Sequence, residues 1–169
     1  PGTELEAAER GLGALGVTIG PIAVQEARAA AYRKRIQSCD PVGAFVNEHV
    51  DTVSFLYCHE DLQTGAAVGG SMVGAFGYIS AQAASARHVF PTRSYSAGGL
   101  LEGFRPAWPP PTEGNDEYGI SDFLCIGDPE RIIKVCKRWE SAGIDRLNFL
   151  INTTETIPQE AVLESLRLF

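Results

Sequence analysis

The sequence predicts an α/β fold of parallel strands with flanking helices. Three observations carry this. Short, mostly apolar runs alternate with segments of helical spacing. Capping and turn residues punctuate the alternation. The linking segments are also long enough for crossover connections, and repeated strand–helix units imply parallel strands joined by right-handed crossovers. Three or four such strands suit either an open sheet or part of a closed barrel, and periodicity does not choose between them.

The chain opens with a helix, for which Thr3 and Glu6 read as a capping box and Gly11 as the terminator. Ala14–Ile19 then reads as a short strand buried on both faces. A helix follows from Ile22 to Gln37, rich in Ala and Arg. His49–Cys58 is a second strand, alternating at first and then uniformly apolar. Leu62–Arg87 has helical spacing, which Gly65, Gly69, Gly70, Gly74 and Gly77 weaken, and close packing against a neighbour would account for such small residues.

Residues 89–121 hold many Pro and Gly and read as a long loop. Loops this long are usually functional or disordered, and this one carries Tyr95, Phe104, Trp108 and Tyr118. A short strand is expected near Phe123–Ile126. Asp128-Pro129 supplies an N-cap and a first-turn proline. Ile132, Val135, Cys136 and Trp139 repeat at helical spacing up to Gly143, and Arg146–Ile151 reads as a strand. Thr156 and Gln159 suggest another capping box, followed by a helix with the stripe Val162, Leu163, Leu166 and Phe169.

The 169 residues suit one domain, and 44% hydrophobic content supports a core. A net charge of −7 disfavours nonspecific nucleic-acid binding. No apolar run approaches the roughly 18 residues of a membrane span, and the opening residues lack signal-peptide character. A cytoplasmic location is the expectation. Cys39, Cys58, Cys125 and Cys136 form no metal or C-x-x-C pattern and read as reduced, with Cys125 and Cys136 packing as small hydrophobes. His49, His59 and His88 are too scattered to mark a metal site. Gly11, Gly13 and Gly16 spell G-x-G-x-x-G, but the run leaves a helix and enters a strand, the reverse of a dinucleotide-binding turn. Asn152-Thr153-Thr154 is a formal glycosylation sequon without meaning in a cytoplasmic protein.

The stretch from Gly127 to Ile151, followed by Ile157–Phe169, resembles the C-terminal end of bacterial-luciferase-like flavin monooxygenases. Gly127, Asp128 and Pro129 match a helix-opening turn of that family. Ala142, Gly143, Ile144 and Asp145 match the entry to its eighth strand, and Leu163, Ser165, Leu168 and Phe169 match its last helix. The segment Thr3–Leu15 resembles the helix after the fifth strand and the sixth strand. The resemblance implies the C-terminal part of a (β/α)8 TIM barrel, with residues 1–169 as a partial domain of roughly the sixth to eighth strand–helix units. It implies a fragment of an enzyme that uses reduced FMN and O2 to oxygenate an organic substrate, with a flavin reductase as supplier and a homo- or heterodimer as the full-length assembly. A related branch uses deazaflavin F420. The alternative is a non-catalytic flavin-binding or structural half-barrel that pairs with another chain.

The same resemblance assigns Gly2 and Thr3 to the flavin phosphate, since a helix start offers free N–H groups to an anion. Active sites of such barrels lie at the C-terminal strand ends, here Thr18–Gly20, Tyr57–His59 and Leu150–Asn152. His59 is therefore a catalytic candidate for proton transfer, against the plainer reading of a solvated loop histidine. The long loop corresponds to the family's mobile loop. Arg93, Arg105 and Trp108 are its candidate substrate and lid residues, because oxygen chemistry on reduced flavin needs water excluded. The residues that carry most catalytic duties in the family lie before the matched segment, so the fragment alone is expected to be inactive.

Overall fold

The computed structural model describes residues 2–17, 21–89 and 118–169. Its elements are α1 (Thr3–Glu9), β1 (Ala14–Val17), α2 (Ile22–Ile36), β2 (Val50–Cys58), α3 (Leu62–Val89), β3 (Cys125–Gly127), α4 (Pro129–Ser141), β4 (Arg146–Leu150) and α5 (Gln159–Leu168). All described strand pairs are parallel. β2 is the hub, pairing with β1 over Val50–Val53, with β4 over Asp51–Phe55 and with β3 over Leu56–Cys58. The α/β architecture is as expected. The described strands form an open sheet rather than a closed barrel wall.

Helices cover both faces of that sheet. Val50, Leu56 and Cys58 share a core with Ala8 of α1, Ile22, Ala29, Tyr32 and Ile36 of α2, and Ile132, Val135 and Trp139 of α4. Phe55 and Tyr57 point the other way, into a second core with Ala66 and Met72 of α3 and with Ile126 and Ile157. This explains the two-part pattern of β2. Residues 50–54 alternate between buried and half-buried, while 55–58 are all buried, because α3 covers the second face only towards the strand's C-terminal end.

The helix α3 is continuous over 28 residues despite its glycines. Two of them seat it on the sheet. A Cβ at Gly65 would stand 2.7 Å from the Gly127 carbonyl oxygen, and one at Gly69 would stand 2.5 Å from Ile126 Cγ2. Tertiary contact therefore outweighs the propensity cost of about 1 kcal/mol per glycine. A Cβ at Gly74 or Gly77 would meet no atom of the described residues within 4 Å, and those residues give no packing reason for either glycine.

Both threonine capping boxes are corrected. Thr3 is the first residue of α1, whose N-cap is Gly2 in a left-handed conformation (φ 103°) without a side-chain cap. Pro158 precedes α5, also without one, while the Thr156 hydroxyl meets that of Thr154 at 3.1 Å. The backbone of the incoming chain thus sets the start of α1 one residue earlier than its motif suggests, and that of α5 two residues later. By contrast, Asp128 caps α4 as expected, accepting from Arg131 N–H at 2.8 Å, and Gly11 and Gly143 follow α1 and α4 with φ of 68° and 81°. The apolar stripe of the last helix is also revised. Ala161, Val162 and Ser165 face inward, whereas Leu163 and Leu166 are exposed. The strand near Phe123 is Cys125–Gly127, and Val89 still belongs to α3 rather than to a loop.

Long-range polar ties hold the elements in place. The Tyr32 hydroxyl lies 2.7 Å from the Leu12 carbonyl and 2.9 Å from that of Asn47, donating to one at a time. Asp145 accepts two bonds from one Arg33 nitrogen and one from Val50 N–H, joining α2 to the entries of β4 and β2. Burial raises the Asp145 pKa, but these hydrogen bonds outweigh it and hold the carboxyl below its usual range.

Candidate functional site at the C-terminal strand edge

Parallel pairing brings the ends of β2, β3 and β4 to one edge of the sheet. The helices α1 and α2 run alongside one another, as the pairs Glu4–Arg28 and Glu9–Arg35 show. Because α2 leads away from the end of β1, the N-terminal end of α1 lies at this same edge. The fold thus brings Gly2, Thr3, His59 and Asn152 to one side of the molecule, where open α/β sheets hold their ligands.

His59 follows β2 directly. Its N–H donates to the Gly127 carbonyl at 2.9 Å, continuing the β2–β3 ladder by one bond. Its ring Nδ1 accepts from Asp61 N–H at 2.9 Å. Together with the Asp61 carbonyl 3.3 Å from the same nitrogen, that contact holds the ring against the turn. Asp61 in turn accepts from the backbone N–H and hydroxyl of Thr64, and these bonds lower its pKa. The tripeptide His59-Glu60-Asp61 is therefore a built turn at the start of α3.

The turn after β4 is also braced. Asn152 has a left-handed backbone (φ 48°). Its amide oxygen accepts from Ile157 N–H at 3.0 Å and its amide nitrogen donates to the Ile157 carbonyl at 2.9 Å. Its own N–H reaches Met72 Sδ at 3.2 Å, tying the turn to α3. Beside it, the Thr153 hydroxyl is buried and has no hydrogen-bond partner among the described residues. The sequence placed Asn152 at a strand end but did not show this bracing or the buried Thr153 hydroxyl. The signal available was an Asn at a strand end, a residue that tolerates positive φ.

Ser165 serves this edge from α5. Its hydroxyl, 2% exposed, accepts from Cys58 N–H at 2.8 Å. The β2–β4 ladder has already ended at Phe55–Leu150, so this buried donor has lost its strand partner and the serine replaces it.

Thr3 is exposed and Gly2 half-buried. Gly2 N–H donates to a Glu4 carboxylate oxygen at 3.2 Å, and Glu4 is paired with Arg28 at 2.8 Å. The Arg28 hydrogen bond, against opposing burial, lowers the Glu4 pKa to about 2. A carboxylate thus sits where a phosphate at Gly2 would have to come. Thr18, Ile19 and Gly20, and the lid candidates Arg93, Arg105 and Trp108, lie outside the described residues, as does most of the 89–121 segment.

Among the described residues no group of three His, Cys, Asp or Glu side chains is arranged to hold a metal. No helix among them is long and apolar enough to cross a membrane.

No protein-family model matches the chain, and no curated protein sequence matches it. Its fold is similar to that of the crystal structure of monooxygenase RslO1 from Streptomyces bottropensis, with a TM-score of 0.59 at 17% sequence identity. The match covers 100% of this chain and 43% of that one, so the chain spans less than half the length of its structural neighbour.

Proposed function

We propose that this chain supplies the last strand–helix units of a (β/α)8 flavin-dependent monooxygenase of the luciferase-like kind, acting with reduced FMN and O2 on a small organic substrate. The observation that carries the reading is the end-to-end likeness to part of a monooxygenase, in a fold whose strands all deliver their C-terminal ends to one edge. In such enzymes the flavin supplies the oxygen chemistry, while the protein binds, orients and excludes water.

Within this chain, Gly2 and Thr3 are the residues for the flavin phosphate. Their use requires Glu4 to leave Gly2 N–H, which frees Arg28 as a cation for the same phosphate. His59 is the candidate for proton transfer, a reading supported by its position at the end of β2 and by the contacts that hold its Nδ1 against Asp61. Arg93, Arg105 and Trp108 remain the lid candidates. A flavin reductase is the supplier of reduced flavin, and the assembly is a homo- or heterodimer.

The test is oxygen uptake by the full-length polypeptide that contains these residues, supplied with FMN, a flavin reductase, NADH and candidate aldehyde or sulfonate substrates. Substrate-dependent uptake above a flavin-only control is expected. Reduced F420 in place of FMN, without oxygen uptake, identifies the hydride-transfer branch instead. Failure to bind either cofactor refutes the reading. The 169-residue chain alone is expected to show no turnover, because the remaining strands would carry most of the site.

A second reading, a non-catalytic half-barrel that pairs with another chain, is favoured by Leu15 on β1, which is 68% exposed on a strand. Flavin binding without turnover in the full-length polypeptide, together with a stable heteromeric complex, would select it.

A further inference from the structure

Cys125 and Cys136 meet sulfur to sulfur at 3.9 Å. Cys125 lies in β3 and is fully buried, whereas Cys136 on α4 is half-buried. Cys136 also forms part of the wall of a cleft of about 530 Å³ between α4, β4 and α5, together with Ile133, Trp139, Phe149 and Phe169. One sulfur therefore borders a space open to small solutes, and the other waits behind it in the core. The cleft runs along the helix layer, and its lining includes none of His59, Asn152 or Thr3.

We propose that this pair is a peroxide-reactive dithiol, in which Cys136 is attacked from the cleft and Cys125 resolves the product into a disulfide. In the first step the Cys136 thiolate sulfur bonds to one oxygen of hydrogen peroxide. The O–O bond breaks, giving a sulfenic acid and hydroxide, which takes up the proton the thiol has released. In the second step the Cys125 sulfur attacks the Cys136 sulfur, the S–O bond breaks, and the hydroxyl leaves as water with the Cys125 proton. Two thiols are oxidised to one disulfide, and one peroxide is reduced to two waters. The sulfurs must close by about 1.8 Å to reach bonding length, or about half of that each.

The order of events follows from the surroundings. The hydrogen bond between the two sulfurs lowers the Cys136 pKa against the opposing effect of burial. The same contact, reinforced by burial, raises that of Cys125. The cysteine at the cleft is thus the more acidic of the two and the nucleophile. Cys58 is buried, and burial raises its pKa as well.

Treating the 169-residue chain with a small excess of hydrogen peroxide at neutral pH, then alkylating and mapping the peptides, tests the proposal. Free thiols should fall from the four of the sequence to two. The intact mass should fall by two hydrogens, and the map should join Cys125 to Cys136. In Cys125→Ser the reaction should stop at a sulfenic acid on Cys136, trapped there by dimedone. Survival of all four thiols, or a crosslink or adduct mainly at Cys39 or Cys58, overturns the proposal. If Cys125→Ser does not fold, the peptide map of the unsubstituted chain decides by itself.

Discussion

Replacing Gly65 by alanine sets two opposed effects against each other in α3. A new Cβ would stand 2.7, 2.8 and 2.9 Å from the oxygen, carbon and Cα of Gly127, where ordinary contact begins at 3.4 Å. These are backbone atoms of β3, so no rotamer change relieves the clash. The helix must retreat by roughly 0.7 Å, and a gap of that size forfeits about a quarter to a half of the dispersion attraction at the contact. Overpacking of this kind costs about 1–3 kcal/mol. Alanine returns about 1 kcal/mol of helix propensity, leaving a net loss of up to about 2 kcal/mol. A Cβ in Gly74→Ala meets no atom of the described residues within 4 Å, so this change should stabilise by about 1 kcal/mol. The same chemical change is thus expected to have opposite signs nine positions apart in one helix. Urea unfolding followed by far-UV circular dichroism measures both. With a slope of about 2 kcal/mol per M, the two midpoints should separate by about 1 M. If Gly65→Ala unfolds at or above the midpoint of Gly74→Ala, α3 is not seated on β3 and the packing argument fails.

Three further outcomes are expected. Ser165→Ala leaves the buried Cys58 N–H without its acceptor and should cost about 1–3 kcal/mol; an unchanged melting temperature would mean that the donor has another partner. The Glu4 pKa is depressed from 4.5 to about 2 in the folded chain. Its stabilisation is therefore full above about pH 4.5 and is lost as pH falls toward 2. It amounts to about 1 kcal/mol, since the Arg28 side chain is 43% exposed and solvent screens the pair. Glu4→Gln should flatten that acid limb in a stability–pH profile, and an unaltered limb would place the acid sensitivity elsewhere. Under the proposed function, Thr3→Asp in the full-length polypeptide should weaken FMN binding at least about tenfold while Thr3→Ser binds normally; equal affinities measured by flavin fluorescence would remove Thr3 from the site.

Much of the fold was legible because local patterns report local structure. The run Val50–Cys58 announces a strand and even its change from one-sided to two-sided burial. Asp128 with Pro129, and Gly143 after Ser141, bracket α4 as read. The capping boxes at Thr3 and Thr156 misled because a hydroxyl can cap only if the backbone turns at that residue. Here it turns at Gly2 and Pro158. The glycines of α3 carried a hint of close packing, yet their partners were invisible, since Gly65 meets Gly127 sixty-two positions away. For the candidate site, sequence placed His59 at a strand end but could not show its ring held by Asp61 N–H.

By itself, then, the sequence determined the order of strands and helices, their parallel sense and the edge at which strand ends would gather. These follow from side-chain periodicity and the handedness of crossovers, which act over a few residues or one connection. Only the tertiary structure decided that α3 lies across a sheet face, that Ser165 satisfies Cys58, that Arg33 grips Asp145, and that the Cys125 and Cys136 sulfurs touch. Three of these four join elements that no single strand–helix unit contains. Such contacts depend on how whole faces pack and on which buried donors are left without partners, and both are settled only when the core closes.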